Sequence, residues 1–177
     1  AMVRSRPSFL AKKALLFCNK YSLNTILDWG CGRGSDLYFY RKSGLKADGY
    51  DPYWKPLEII GKEKNNFLKK EYDLITCSYV LNVIQEIPER VGCLQLAKKH
   101  LKRKKYMLIC VRSKQEIAYC ARVGGWLPAG DGYITGAGTF QAGMSQQGLC
   151  QLVEVSGLSL LESHKELNTV WVLAKKK

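Results

Sequence analysis

The sequence feature that most restricts the fold is a glycine-rich turn between a buried strand and a helix. The apolar segment Thr25–Trp29 predicts a strand, and Gly30–Gly34 (G-C-G-R-G) follows it directly. Glycine has no Cβ, so the first two glycines let the backbone turn tightly and approach a ligand closely. A helix over 35–43 is expected next, ended by Gly44. This strand–turn–helix unit is typical of doubly wound α/β sheets.

Strand and helix signals alternate over nearly the whole chain, which predicts one α/β domain over residues 1–177 with helices on both faces of its sheet. It begins with a helical region, 1–22, and contains a glycine-rich segment, 124–143, which we expect to be a long loop on the substrate side. The predicted strands are 25–29, 46–51, 66–68, 72–78, 106–111, 158–164 and 169–174, and the predicted helices are 9–20 (capped by Ser8), 35–43, 56–61, 88–101, 115–122 and 145–156.

The strongest deviation in composition is a formal net charge of +13 on 177 residues. Such a charge suits a polyanionic partner such as nucleic acid, and the alternative is a solvated lysine surface that provides solubility. Two basic clusters contribute to it, Lys98–Lys105 and Lys175–Lys177. The first lies at the amino end of a predicted strand, so we expect it to face away from an active site.

Seven cysteines are present, an odd number without any C-x-x-C pair. A disulfide framework or a metal site is therefore not expected, and a reducing cytoplasm is the simpler interpretation. No apolar stretch approaches the roughly 20 residues that cross a bilayer. The basic N-terminal segment does not resemble a secretory signal, so no membrane association is expected.

Two carboxylates accompany the glycine turn. Asp28 comes two residues before Gly30, where it can meet an ammonium group, and Asp51 ends the next predicted strand, where it can accept hydrogen bonds from both hydroxyls of a ribose. The strand that ends at Cys77-Ser78-Tyr79 reaches the same edge of the sheet. These strand ends predict a nucleotide cofactor. A dinucleotide fold would need glycine at position 35, which is Ser35, and a purely structural turn is the other alternative.

Four motifs together resemble class I S-adenosylmethionine-dependent methyltransferases: D-W-G-C-G-R-G-S-D, A-D-G-Y-D-P-Y, Y-D-L-I-T-C-S-Y-V-L-N-V-I and I-C-V-R-S. The segments S-R-P-S and G-D-G-Y-I-T-G-A-G-T-F-Q are similar, more narrowly, to methyltransferases associated with DNA phosphorothioation, a bacterial or phage DNA-modification group. The resemblance implies a Rossmann-like, mostly parallel seven-stranded sheet with the last strand antiparallel. One departure is Lys102–Lys105, where many relatives have Pro-Gly-Gly.

The resemblance also implies a set of cofactor contacts. Gly30, Cys31 and Gly32 would contact the methionine end of S-adenosylmethionine, with Asp28 near its amino group. Asp51 would bind the ribose hydroxyls. Pro52 and Tyr53, directly after the predicted strand 46–51, would flank the adenine. The remaining expected cofactor residues lie at the end of the predicted strand 72–78: Cys77, Ser78 and Tyr79.

The methyl acceptor is expected to contact the loops that follow the later strands. Tyr79, Asn82 and Asp131 are the candidate catalytic residues, and Arg112 is the candidate that binds a phosphate or carboxylate. His100 and His164 are expected to be ordinary surface histidines. The remaining candidates for substrate contact are Thr139, Phe140, Gln141, Asp36 and Arg6.

Three functions remain open from the sequence. The protein could methylate nucleic acid or a nucleotide-like acceptor, methylate a small metabolite, or bind S-adenosylmethionine without turnover. The residues after the strand 72–78 lack the proline pair of enzymes that methylate the amino groups of DNA bases. The chain also lacks the Pro-Cys nucleophile of cytosine-C5 enzymes, so standard DNA base methylation is disfavoured.

Overall fold

A computed structural model describes residues 6–53 and 71–177. The predicted helix at 56–61 and strand at 66–68 lie outside these residues. The helices are Phe9–Lys20 (α1), Ser35–Lys42 (α2), Ile87–Lys99 (α3), Lys114–Gly124 (α4) and Gln146–Val155 (α5). The strands are Thr25–Trp29 (β1), Lys46–Tyr50 (β2), Tyr72–Ser78 (β3), Leu101–Arg112 (β4), Leu127–Ala129 (β5), Gly132–Ile134 (β6), Phe140–Gln141 (β7), Ser159–Glu166 (β8) and Thr169–Lys175 (β9).

The main sheet has the strand order β2-β1-β3-β4-β9-β8 in the part of the chain that the structure describes. Strands β1 to β4 are parallel, whereas β9 runs antiparallel to both of its neighbours. The predicted α/β fold with an antiparallel last strand is confirmed. Six strands are described instead of the seven expected.

Helices cover both faces of this sheet, as predicted. One core lies under α1 and α2 and contains Leu10 and Tyr40 packed on Leu108 of β4. The other lies under α3 and α5 and contains Leu94 and Leu149. Strand β3 passes between the two cores, and six of its seven residues are buried, which explains its nearly continuous apolar sequence.

The first helix begins as its sequence predicts. The Ser8 side chain accepts a hydrogen bond from the backbone N–H of Ala11 (3.0 Å), which caps α1. The backbone N–H of Ser8 donates to the buried Asp36 carboxylate (2.7 Å) in the first turn of α2. The start of α1 is thus joined to the helix that follows the glycine turn. No helix among the described residues is long and apolar enough to cross a membrane.

The segment 124–143 is not the irregular loop that its glycine content predicted. It forms a separate three-stranded antiparallel sheet of β5, β6 and β7, which we call the small sheet. Its strands have only two or three residues, too few for a period-2 apolar pattern to be recognised in the sequence. Its turns contain Gly130 and Gly138, both with positive φ (55° and 74°), a conformation that favours glycine.

The basic segment 98–105 also differs from its prediction. Helix α3 ends at Lys99 instead of at residue 101, and β4 already begins at Leu101. Leu101 pairs with Tyr72 and Tyr106 pairs with Leu74, so residues 102–105 form a bulge in β4. The expectation that this segment enters the strand at its amino end is correct, but the segment is part of the strand and not a free turn.

Candidate functional site

The carboxyl ends of the four parallel strands open into one cleft of about 950 Å³. Gly30 follows β1, Asp51 follows β2, Ser78 ends β3 and Arg112 ends β4, and all four line the cleft. Open α/β sheets bind their ligands at this edge. The volume is near the upper end of the range for small-molecule sites, so there is room for a nucleotide cofactor and a second small molecule.

The glycine turn forms the wall of the cleft above β1. The backbone N–H groups of Gly30 and Cys31 both donate to the carbonyl of Tyr50, at 2.7 and 3.1 Å, which fastens the turn to the end of β2. Gly30 has a φ of 82°, and a Cβ there would lie 2.2 Å from Cγ2 of Val80. This position therefore has both the conformation and the close approach that require glycine.

Asp51 is held in place by the loops around it. One carboxylate oxygen accepts from the backbone N–H of Gly32 and the other from that of Tyr53, each at 2.9 Å. These two hydrogen bonds fix the orientation of the carboxylate at the cleft, where a carboxylate can accept hydrogen bonds from ligand hydroxyls. Pro52 and Tyr53 complete this side of the cleft, and Tyr53 is 96% exposed.

Two predicted cofactor residues lie beneath the cleft instead of lining it. Asp28 is buried, accepts a hydrogen bond from the Thr76 hydroxyl (3.0 Å) and is not among the lining residues. Cys77 is fully buried, and its hydrogen bond with Cys93 together with its burial raises the pKa of its thiol well above the usual range. Neither side chain is presented to the cleft, and their cofactor contacts remain a prediction.

Cys31 does line the cleft, as expected. Burial, followed by the nearby carboxylates of Asp28 and Asp51, raises the pKa of the Cys31 thiol to about 12. The thiol is therefore protonated at neutral pH and is a poor nucleophile.

Tyr79 is held at the cleft in an unusual backbone conformation. Its φ is 59°, which is uncommon for a residue with a side chain and is often found at functional sites. Its backbone N–H donates to the Cys110 carbonyl (3.0 Å), and its hydroxyl lies 3.0 Å from that of Thr169 at the start of β9. Tyr79 and Ser78 both line the cleft, in agreement with their prediction as site residues.

Asn82 also lines the cleft, but its side chain is fully buried and used for structure. Its amide oxygen accepts from the backbone N–H of Arg112 (3.0 Å), and its amide nitrogen donates to the carbonyl of Ala142. The backbone N–H of Ala142 in turn donates to the carbonyl of Asn82 (2.7 Å). Asn82 therefore joins the loop after β3 to β4 and to the segment after β7, a positioning role that differs from the catalytic role predicted.

Arg112 lines the cleft next to an internal carboxylate partner. Its Nη2 donates to Glu116 (2.8 Å) and lies 3.2 Å from the sulfur of Cys120. The predicted binding of a phosphate or carboxylate would have to compete with Glu116. Arg112 is therefore less available to bind an anion than the sequence indicated.

Of the candidates in the small sheet, only Gln141 lines the cleft. Asp131 forms an ion pair with the buried Arg90, and this hydrogen bond keeps the pKa of its carboxyl below the usual range, which makes it a poor proton acceptor. Thr139 bonds to Thr135 across an exposed turn, at 2.8 Å between hydroxyls. Phe140 is buried, with the Arg90 guanidinium 5.9 Å from its ring centre. Asp131 and Phe140 thus attach the small sheet to Arg90, whereas Thr139 bonds within its own turn, and none of the three is among the described residues that line the cleft.

The remaining candidates lie away from the cleft lining. Asp36 is bonded to Ser8 as described above, and Arg6 is exposed. His164 stacks on Trp171 at 4.3 Å between ring centres, whereas His100 is buried near Trp29 instead of lying at the surface. The described residues contain no cluster of three or more potential metal ligands, and all seven cysteines are free.

The cleft contains lining residues that sequence reasoning missed, among them Glu89 of α3, Glu116 of α4 and Asn168 and Thr169 at the start of β9. Thr169 reaches the site because it pairs with Arg112 across β4 and β9. The strand 169–174 was predicted, but neither its pairing with β4 nor the register of that pairing could be deduced from the sequence. The two glutamates each lie in the first turn of a helix, where acids are common for reasons of helix stability alone.

A parallel α/β sheet with a glycine turn after β1 and a carboxylate after β2 defines the class of α/β proteins that bind a nucleotide cofactor at the carboxyl edge. A methyltransferase-domain family model matches residues 2–163 of the chain. Because this match spans most of the sequence, the chain belongs to the methyltransferase-domain family. The predictions of a methyltransferase enzyme and of S-adenosylmethionine as its cofactor are confirmed at the level of this family.

A search among curated proteins gives no match. Among solved structures, the chain is similar to an S-adenosylmethionine-dependent methyltransferase from Methanosarcina mazei, with 14% identity, a TM-score of 0.64 and coverage of 86% of this chain and 92% of that one. It is similar to 1,6-didemethyltoxoflavin-N1-methyltransferase of Burkholderia thailandensis, solved with 1,6-didemethyltoxoflavin and S-adenosylhomocysteine, with 16% identity, a TM-score of 0.66 and coverage of 96% and 79%. Human N-acetylserotonin methyltransferase in complex with S-adenosylmethionine has 14% identity, a TM-score of 0.63 and coverage of 95% and 52%. At these identities the likeness establishes the fold.

Proposed function

We propose that the protein transfers the methyl group of S-adenosylmethionine to a small polar acceptor bound in the same cleft. The observation that carries the proposal is the juxtaposition of the glycine turn and the Asp51 carboxylate in one cavity large enough for two molecules. Both similar proteins solved with a nucleotide bind S-adenosylhomocysteine or S-adenosylmethionine, which supports the assignment of the cofactor.

The residues of this chain fit such a cofactor. Asp51 presents a carboxylate, the acceptor that suits the two ribose hydroxyls, and Pro52 and Tyr53 can flank the adenine. The turn at Gly30–Gly32 presents backbone without side-chain bulk to the methionine portion. When bound, the cofactor supplies a methyl group that is already activated by a positively charged sulfur. The protein then has chiefly to hold the acceptor in line with that methyl group.

The acceptor side of the cleft favours a small molecule over a polyanion. Only two of the 28 lysines and arginines, Arg33 and Arg112, are among the described residues that line the cleft, and Arg112 is bonded to Glu116. Glu89 adds a further carboxylate at the rim, beside the amide side chains of Gln85, Gln141 and Asn168. An acceptor with N–H or O–H donors fits these acceptor groups, whereas a phosphodiester chain would be repelled by the carboxylates. A nucleic-acid acceptor is therefore the less supported alternative.

The resemblance to methyltransferases associated with DNA phosphorothioation remains part of this proposal. Its most distinctive segment, G-D-G-Y-I-T-G-A-G-T-F-Q, forms the turn before β6 and strands β6 and β7 of the small sheet. Through Gln141 and the contacts of Asn82, this sheet adjoins the acceptor side of the cleft. We propose that the segment determines the acceptor. We also propose that the protein is of bacterial or phage origin and acts in the cytoplasm of the bacterial cell.

Binding of S-adenosylhomocysteine by calorimetry tests the cofactor site. Asp51→Asn should weaken binding at least tenfold, because a hydrogen bond to a charged group contributes roughly 1.5–3 kcal/mol. Asp48→Asn is the matched control, since Asp48 lies in β2, directly before the loop of Asp51, but bonds to the Tyr72 hydroxyl (2.7 Å) and does not line the cleft. Equal affinities for wild type and Asp51→Asn would contradict the assignment.

Incubation with methyl-labelled S-adenosylmethionine and cell fractions tests the acceptor. We expect the label in the small-molecule fraction, with at least tenfold slower transfer by Asp51→Asn when the cofactor concentration is limiting. Label that enters only the nucleic-acid fraction would show that the acceptor is a polymer. A protein that binds the cofactor but labels no fraction would be a binding module without turnover, which also contradicts the proposal.

A further inference from the structure

The two basic clusters of the sequence meet at the edge of the sheet opposite the cleft. Residues 102–105 form the bulge at the amino end of β4, Lys175 is the last residue of β9, and Lys176 and Lys177 follow it. The backbone N–H of Lys104 donates to the carbonyl of Lys176 (3.1 Å), and that of Lys176 donates to the carbonyl of Lys105 (2.9 Å). We call these seven residues, all lysine or arginine, the basic edge.

Little of this charge is neutralised within the described part of the chain. Asp73 pairs with Lys102 (3.0 Å) and more distantly with Lys105 (3.8 Å), and it is the only acidic residue paired with the basic edge among the described residues. The ammonium of Lys176 donates to a backbone carbonyl. The side chains of Arg103, Lys104, Lys175 and Lys177 have no acidic partner in the described structure. Concentrating like charges is unfavourable unless an anion binds them, and solubility alone would be served by spreading them over the surface.

Aromatic rings adjoin the basic edge on the face covered by α1. Tyr106 pairs across the sheet with Lys175, and its ring stacks on that of Tyr21 at 5.2 Å between centres. Tyr21 in turn stacks on Phe17 at 6.0 Å, and the Lys20 ammonium lies 5.0 Å from the Tyr21 ring. These three residues pack against the core beneath α1 and are half-buried, so each is in part exposed at the margin of that core.

Positive charge beside accessible aromatic rings is the combination that binds single-stranded nucleic acid, because the cations contact phosphates and the rings stack on bases. A membrane surface would attract the same charge, but these rings pack against the core beneath α1 and do not protrude for insertion among lipids. The basic edge is also remote from the cleft: seven residues of β4, Tyr106 to Arg112, separate them, which is about 20 Å at roughly 3.3 Å per residue.

We propose that the basic edge, with Tyr106 and Tyr21, is a docking surface for single-stranded nucleic acid that is separate from the methyl-transfer cleft. It would keep the enzyme on a polynucleotide while the cleft acts on a different, small molecule. The proposal does not depend on the identity of the acceptor.

The docking proposal can be tested on the full chain by fluorescence anisotropy. The probe is a labelled single-stranded DNA of about 20 nucleotides, long enough to span the surface. Binding should weaken steeply between roughly 50 and 200 mM salt, and the slope of log affinity against log salt should be near −0.7 for each phosphate contacted. The combined variant Arg103→Gln, Lys104→Gln and Lys177→Gln should bind at least tenfold more weakly, with a slope reduced by about 2.

The matched control removes the same charge elsewhere, by Lys12→Gln, Lys114→Gln and Lys165→Gln at exposed positions. It should retain near wild-type binding, and both variants should bind S-adenosylhomocysteine as the wild type does, which verifies their folding. Equal losses in the two variants would mean that net charge alone acts, and would overturn the proposal. It would also be overturned by no binding at low salt, by equal affinity for a duplex of the same sequence, or by stronger binding to phosphatidylserine vesicles.

Discussion

At the scale of single residues, Gly30 shows how a position without a side chain connects the fold to the site. Its φ of 82° and the 2.2 Å that would separate an added Cβ from Val80 both exclude other residues. Gly44 has nearly the same φ (86°) but no neighbour within 4 Å of an added Cβ. Alanine substitutions at Gly30 and Gly44 therefore separate the effect of backbone conformation from that of steric crowding.

We predict that Gly44→Ala lowers the free energy of unfolding by about 1 kcal/mol, the usual effect of forcing a Cβ into the left-handed region. Gly30→Ala should cost more and should also weaken S-adenosylhomocysteine binding, because Val80 lines the cleft and must move. Denaturant unfolding and calorimetry measure the two effects. Equal losses of stability with unchanged binding would show that Gly30 acts through its conformation alone.

At the residue scale, the sequence locates a side chain best where its place follows from a strand end. Asp51, Ser78 and Tyr79 were located in this way, and all line the cleft, whereas their contacts with a cofactor remain a prediction. Asn82 and Asp131 were chosen because they lie in loops that follow the later strands, but their partners come from residues 30 to 60 positions away. Such long-range hydrogen bonds leave no local pattern in the sequence.

At the scale of elements, the small sheet is attached to the rest of the protein by a few polar contacts. The side chain of Arg90 is only 3% exposed and donates to Asp131, to the carbonyl of Ile84 (2.8 Å) and to the carbonyl of Gln85 (3.0 Å). One arginine thus connects α3, the acceptor side of the cleft and the turn between β5 and β6.

We predict that Asp131→Ala loosens this attachment, because it leaves a buried guanidinium without its carboxylate. Hydrogen exchange should accelerate at least tenfold in residues 127–141 and stay unchanged in β3. Thr139→Ala, at an exposed position of the same sheet, is the control and should leave exchange near the wild-type rate. Unchanged exchange in Asp131→Ala would show that the ion pair does not hold the small sheet.

Asp73 joins β1, β3 and β4 at the amino edge of the main sheet. Burial acts to raise its pKa, but hydrogen bonds from Lys102, from Thr25 and from the backbone of Asn24 prevail and lower it to about 2. Because the pKa is lower in the folded than in the unfolded chain, the ionised carboxylate stabilises the folded state above about pH 4. That contribution is lost as the pH falls towards 2.

Asp73→Asn should therefore reduce the free energy of unfolding by about 2 kcal/mol at neutral pH. The difference from the wild type should shrink below pH 4 and vanish near pH 2. Denaturant unfolding at a series of pH values measures it. A difference that stays constant over this range would show that the carboxylate's charge is not responsible.

The bounds of helices and strands were predicted closely where the element is long enough for its apolar residues to show a clear pattern. Short or polar elements were missed. Helix α1 and strand β3 have the bounds that their patterns indicate. The small sheet and the bulge at 102–105 were missed, because two or three residues per strand and a run of lysines carry no periodic signal. The bulge also depends on pairing with β3, which is distant in the sequence, whereas the strands of the small sheet pair with one another within residues 127–141.

At the scale of the whole molecule, charge and site are segregated to opposite edges of the sheet. The net charge of +13 indicated a polyanionic partner, but the cleft contains more carboxylates than guanidinium groups among its described lining residues. The sequence reveals the total charge but not its distribution, because the basic edge forms only when the C-terminal residues pair with the bulge of β4.

The central claim is that S-adenosylmethionine occupies the cleft at the carboxyl edge with its ribose on Asp51. A crystal structure of the protein with S-adenosylhomocysteine tests it most directly. We predict both ribose hydroxyls within about 3 Å of the Asp51 carboxylate and the amino-acid portion against the turn at Gly30–Gly32. A ligand bound elsewhere, or one whose ribose makes no contact with Asp51, would contradict the account.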